Sequence, residues 1–120
     1  MVSFKTAVLQ GMDPETGGLY IPTEIPSLSK AFLYRNPVLS FRDIAFEVSR
    51  LFIGDEIGSD DLMSIIVDAY PFTAPISPID PTTYVLELFH GPTCAFKDFG
   101  ARYMARMMSW FNRGEDRPLH

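Results

Sequence analysis

The chain has 120 residues and a mass of 13.5 kDa, with 10 Lys and Arg against 15 Asp and Glu, so its formal charge is −5. With 47% hydrophobic and 21% charged residues it can build one core, which excludes a disordered tail, and its acidic balance opposes non-specific binding to nucleic acid or to an anionic membrane. No apolar run approaches the roughly 20 residues of a membrane span, Met1–Lys5 does not lead into an apolar leader segment, and the single cysteine, Cys94, excludes an internal disulfide or a Cys-rich zinc site.

In chain order, Ser3 is placed to cap a short helix through Phe4, Ala7 and Val8, which Gly11 closes in a left-handed conformation. Turn residues follow from Asp13 to Gly18, and then Leu19–Pro22, which reads as a short edge strand ended by its proline. Ser40 and Asp43 form a capping pair for a helix whose Phe41, Ile44, Ala45, Val48, Leu51 and Phe52 recur at helical spacing as a buried face, closed by Gly54. Ser59 opens a further helix with Asp60 and Asp61 in its first turn and Leu62, Ile65, Ile66 and Ala69 on its apolar stripe, and Pro71 stops it.

Four prolines at 71, 75, 78 and 81 predict an extended connector and a subdomain boundary, so residues 1–78 are read as one subdomain and 79–120 as the start of a second. Thr82–Phe89 is dense in strand formers, His90–Thr93 is a turn, and a long helix starts near Asp98. Its Phe99, Tyr103, Met107 and Trp110 form one stripe, with Met104, Met108 and Phe111 beside it, while Arg102, Arg106 and Arg113 share the other face. Asn112–Pro118 reads as a helix stop and polar turn, and Leu119–His120 as the start of a further element. One strand and one helix cannot complete a parallel sheet, so the chain is expected to be a truncated fragment. A chain of this mass is expected to bury about two-thirds of its unfolded surface, roughly 13,000 Å².

Residues 1–89 carry 5 basic against 12 acidic groups and residues 90–120 carry 5 against 3, so the positive part of the molecule holds the unusual loop Cys94–Gly100. Within it Lys97 stands among apolar side chains at a helix start. The helix dipole and partial burial would both lower its pKa toward the free amine that Schiff-base chemistry needs. The bland alternative is a lysine that snorkels to solvent, paired with Asp98. Gly91 allows close backbone approach, Pro92 fixes the turn, and Thr93 offers a hydroxyl beside the lysine. His90 and Cys94 could suggest a thiol nucleophile, but a lone cysteine more often serves as a small core residue. Asp55, Glu56, Asp60 and Asp61 lack calcium-loop spacing. The proline stretch reads as a linker before it reads as a ligand for a proline-binding module, and the methionine and tryptophan stripe reads as core.

The segment Glu87-Leu88-Phe89-His90-Gly91-Pro92-Thr93-Cys94-Ala95-Phe96-Lys97-Asp98-Phe99-Gly100 resembles the threonine synthase family of fold-type II pyridoxal-phosphate enzymes. The likeness extends to Ser3–Gly11, Gly17–Pro22 and Phe52–Ile57. It implies a mixed α/β chain: a small, mostly helical N-terminal subdomain with a short strand pair, then the first strand, loop and helix of the catalytic domain. It further implies that Lys97 holds pyridoxal phosphate as an internal aldimine, that Phe96 lies against the cofactor ring, and that Thr93 and Asp98 shape the loop. The implied reaction converts O-phospho-L-homoserine and water to L-threonine and phosphate in the cytoplasm. The glycine-rich phosphate loop of such enzymes, the residue facing the pyridine nitrogen and most substrate-phosphate contacts are missing from these 120 residues, so the remainder of the catalytic domain is an expected partner and the chain alone is expected to be inactive. The resemblance leaves oligomeric state open. A related phospho-lyase or dehydratase, and a non-catalytic assembly module whose acidic helices dock on a partner, stay open as alternatives.

Overall fold

A computed structural model describes residues 1–34 and 39–114. The reading of residues 115–118 as a polar turn, and of Leu119–His120 as the start of an element, lies outside the described residues. The elements are α1 (Phe4–Gln10), α2 (Lys30–Leu33), α3 (Phe41–Ile53), a 3₁₀ turn (Gly54–Glu56), α4 (Ser59–Ala69), β1 (Ile76–Pro78), β2 (Tyr84–Leu86) and α5 (Lys97–Phe111). The chain is therefore mixed, helices with one short antiparallel strand pair. No helix among the described residues is long and apolar enough to cross a membrane.

Local chemistry starts the helices where the sequence indicates. Ser3 accepts from the Thr6 amide at α1, and Ser40 and Asp43 form a reciprocal capping box at α3. Gly11 and Gly54 close these helices at φ of 72° and 61°. Ser29 caps the single turn α2, which the apolar periodicity of the sequence is too short to reveal. At α4 the cap position belongs to Gly58, so Asp60 and Asp61 act on the first turn through charge and not through a side-chain cap.

The centre of the molecule is the apolar stripe of α4. Leu62, Ile65, Ile66 and Ala69 are all buried, and they meet Met107 and Phe111 of α5 and Ile53 at the end of α3. An aromatic cluster continues this core. Phe41, Tyr70, Phe72, Phe99 and Tyr103 pack with centroids about 5–6 Å apart, mostly edge to face. The Tyr103 hydroxyl donates to Ser49 Oγ of α3 at 2.6 Å. A carboxylate ties the first helix to this body: Glu56 accepts from the amides of Phe4 and Lys5 at 2.6 and 2.9 Å, satisfying two donors that α1 cannot pair internally.

Several expectations are corrected. Among the described residues Leu19–Pro22 makes a single bridge, Met12 to Leu19, with no strand alongside, and Tyr20 donates its hydroxyl to Gln10. On α3 the inward side is Phe41, Ala45, Phe46 and Ile53, whereas Ile44, Val48 and Phe52 are exposed. The apolar pattern is wide enough for two faces, and α4 covers only one. The arginines at the other face of the last helix lie along α4, which runs antiparallel to α5. Arg102 donates to the carbonyls of Ala69 (2.8 Å) and Asp68 (3.1 Å) at the α4 C-terminus, Arg106 pairs with the Asp68 carboxylate, and Arg113 approaches Asp61 at 3.9 Å. Met104 is exposed and contributes nothing to the core.

The proline stretch is also more than a connector. Ile76–Pro78 pairs with Tyr84–Leu86 in the register Ile76 to Leu86, Ser77 to Val85 and Pro78 to Tyr84. The turn is built by Asp80, whose Oδ1 accepts from the amides of Thr82 and Thr83 and from the Thr82 hydroxyl at 2.8–2.9 Å. The strand expected over Thr82–Phe89 is thus three residues long and antiparallel, and a boundary between residues 78 and 79 falls in the turn of this hairpin. Most of the hairpin's side chains are exposed, including Ile76, Ile79, Tyr84 and Leu86. The accessible surface is 8955 Å², against about 6,500 Å² for a compact monomer of this mass, so the chain buries only about half of its unfolded surface and not two-thirds.

Two measurements test this packing. Leu62→Ala is expected to destabilise the chain by about 2–5 kcal/mol because it empties an almost fully buried site, whereas Ile44→Ala on the exposed side of α3 should cost less than about 1 kcal/mol; urea midpoints separate the two. Burial, with Tyr103 alongside, pushes the Tyr70 phenol from its usual 10.0 up to about 12. Below pH 10 both folded and unfolded chains keep this proton; between pH 10 and 12 the unfolded chain loses it first, so stability falls as pH rises. Tyr70→Phe should flatten the pH dependence of the urea midpoint across that window.

Candidate active site

The hairpin ends at Leu86, and after ten intervening residues α5 begins at Lys97. The intervening loop is closed from within by one carboxylate. Asp98, in the first turn of α5, is only 6% exposed, and its Oδ2 accepts from the Thr93 amide at 2.8 Å while Oδ1 accepts from the Thr93 hydroxyl at 2.8 Å. The charge is thereby buried with both oxygens hydrogen-bonded, as a buried carboxylate requires. Gly91 makes the arrangement possible: a Cβ there would lie 2.4 Å from Asp98 Oδ2. A turn bond from the Cys94 amide to the Gly91 carbonyl at 3.0 Å completes the loop.

Lys97 is the first residue of α5, preceded by Phe96, which offers no side-chain cap. Both side chains are exposed, and Nζ stands 4.8 Å from the centroid of the Phe96 ring. The partial burial expected for Lys97 is absent in this chain, because the hairpin and loop leave that side open. Pairing with Asp98 is absent as well, since the Asp98 carboxylate turns inward to Thr93. Cys94 is exposed, with a left-handed φ of 57°, and so is not the small core residue the sequence suggests. Of the candidate residues, the fold joins Thr93 to the buried Asp98 and Phe96 to the exposed Lys97.

One group escapes the sequence reading. Glu87, just past β2, accepts from Ser77 Oγ of β1 at 2.5 Å and bonds His90 Nε2 at 2.6 Å. The hydrogen bond from Ser77, and next that from His90, hold its carboxyl below the usual carboxylate range. Glu87 and His90 lie three apart in sequence and could have been paired; Ser77 joins them only through the strand register, which the prolines conceal.

An exposed primary amine beside an aromatic face, on a loop locked by a buried carboxylate, fits a group bound through an aldehyde and stacked on a ring. The described residues contain no phosphate cradle beside it, so only the covalent end of such a cofactor is accounted for.

Residues 1–70 match the family model described as "Threonine synthase N terminus". The threonine synthase of Buchnera aphidicola subsp. Baizongia pistaciae is 41% identical over 116 residues, covering 96% of this chain and 27% of that protein. The crystal structure of threonine synthase from Escherichia coli superposes with a TM-score of 0.84 at 39% identity, over 92% of this chain and 26% of its own. A pyridoxal-phosphate-bound threonine synthase from Brucella melitensis superposes with a TM-score of 0.82 at 35% identity, over 92% and 25%. The chain spans about a quarter of the length of the curated relatives it matches. On the family model and on the agreement of sequence and fold, the chain belongs to the threonine synthase N-terminus family.

Proposed function

We propose that this chain is the N-terminal part of a cytoplasmic threonine synthase, which converts O-phospho-L-homoserine and water to L-threonine and phosphate with pyridoxal phosphate. The observation that carries the reading is the accessible amine of Lys97 on a loop held by Asp98, in a chain similar to a relative solved with that cofactor. In that protein residues 1–78 would be the N-terminal subdomain and 79–120 the start of the catalytic domain, the division passing through the turn of the β1–β2 hairpin. The exposed apolar side chains of the hairpin and of Phe89 and Phe96 are the surface that the remainder of the catalytic domain covers.

Lys97 holds the cofactor covalently through Nζ. When bound, pyridoxal phosphate supplies an electron sink for carbanion chemistry at the substrate carbon. The Lys97 amine would also be the base and acid that carries protons as phosphate leaves and water adds. Phe96 presents a flat apolar face beside Nζ, and Thr93 and Asp98 hold the loop so that the amine keeps one direction. Because the chain carries no phosphate cradle among its described residues, it binds the cofactor weakly by itself and turns over no phosphohomoserine.

Two experiments test this reading. The full-length protein, treated with pyridoxal phosphate and borohydride, should carry a pyridoxyl group on the Lys97 peptide by mass; no label, or label at another lysine, overturns the assignment. Gly91→Ala forces the Asp98 carboxylate off Thr93 and should slow labelling at Lys97 about 10- to 100-fold, while Ala95→Ser, on the same loop and keeping the bond from the Asp98 amide to the Ala95 carbonyl, should leave it near the wild-type rate.

A further inference from the structure

The loop that carries Lys97 has two anchorages, and only one is the Asp98 bond. The other stands where the loop leaves the hairpin. Glu87 is half-buried, donates its amide to the Pro75 carbonyl at 2.9 Å as the last rung of the ladder, and divides its carboxylate between Ser77 and His90. Ser77 is fixed by the strand, directly opposite Val85, and Glu87, two residues beyond Val85, is its diagonal neighbour on the same face. His90, stacked on Phe89 with centroids 4.6 Å apart, directly precedes Gly91, where the loop meets Asp98. A charge-assisted bond at this point restrains the direction in which the chain enters the loop. With only Asp98 holding it, the loop would be fixed to α5 but free to swing against the hairpin.

We infer that Glu87 is a positioning residue for Lys97, its carboxylate locking His90 to Ser77 so that hairpin, loop and the first turn of α5 form one rigid unit. The inference rests on the reading of Lys97 as the cofactor lysine and extends it to a residue whose partners are Ser77 and His90. Glu87 works through His90 and the loop; its contribution is to hold the amine in line, and that is felt in turnover more than in substrate binding.

The test uses Glu87→Gln in the full-length protein, which keeps the side chain's size and removes its charge. In the protein without cofactor, hydrogen exchange at the Thr93 amide should quicken about 10-fold as the loop loosens. In the loaded enzyme kcat should fall about 10- to 100-fold with KM for O-phospho-L-homoserine within about threefold, while the melting temperature stays near that of wild type and borohydride still fixes the label on Lys97. Unchanged exchange and unchanged kcat overturn the proposal. So does a fall in activity that only tracks the loss of folded protein, because that assigns Glu87 to stability alone. If Glu87→Gln does not fold, His90→Gln at the exposed mouth of the loop carries the same expectation, and unchanged exchange in it overturns the proposal equally. Absence of label on Lys97 in the wild type would instead defeat the cofactor assignment, and the exchange measurement then decides by itself whether Glu87 holds the loop.

Discussion

The helical body takes its arrangement from the buried stripe of α4. Ile66 and Ala69 have no exposure and Leu62 almost none, so α4 is the one helix surrounded on its apolar side. α5 lies against it through Met107 and Phe111, α3 closes over it with Ile53, and α1 reaches it through Phe4 and Phe111. The end of α4 would leave carbonyls without partners; Arg102 fills that role from α5, and in doing so sets the axial position of α5 against α4. Since Lys97 is the first residue of α5, that packing also decides where the candidate amine stands.

Asp98 converts this placement into a defined loop. A carboxylate is costly to bury, and Asp98 is buried because both oxygens are met by one threonine and because Gly91 has no side chain to displace it. The neighbouring lysine is left without a carboxylate partner on that side. The arrangement separates the charge that shapes the loop from the charge available for chemistry, although the two residues are adjacent in sequence.

The surface of the chain is as informative as its core. Ile76, Ile79, Tyr84, Leu86, Phe89 and Phe96 are more than half exposed on and beside a two-stranded hairpin that no further strand among the described residues extends. An isolated hairpin is marginal in water, and here its ends are held by side chains: the Asp80 turn at one end and the Glu87 carboxylate at the other. Such a hairpin suits a chain that makes up about a quarter of its relatives' length.

The local signals were legible in one dimension. Ser3, Ser40 with Asp43, Gly11 and Gly54 mark helix ends by the hydrogen bonds and positive φ they supply within a few residues, and the α4 stripe declares itself by period because it is buried along its whole length. The motif around Lys97 is contiguous, so the candidate lysine and its family could be named without a fold. What the sequence could not decide is which of two apolar faces of α3 is covered, whether the arginines of α5 meet water or α4, that a strand hides among four prolines, and that Lys97 stands exposed while Asp98 is buried. Each of these depends on a partner far along the chain: Arg102 on Ala69, Tyr103 on Ser49, Glu56 on Phe4, and Glu87 on Ser77 through a register that no spacing encodes. Hydrogen bonds that close over a few residues can be read from order alone, whereas burial and long-range pairing exist only once the helices and the hairpin have packed.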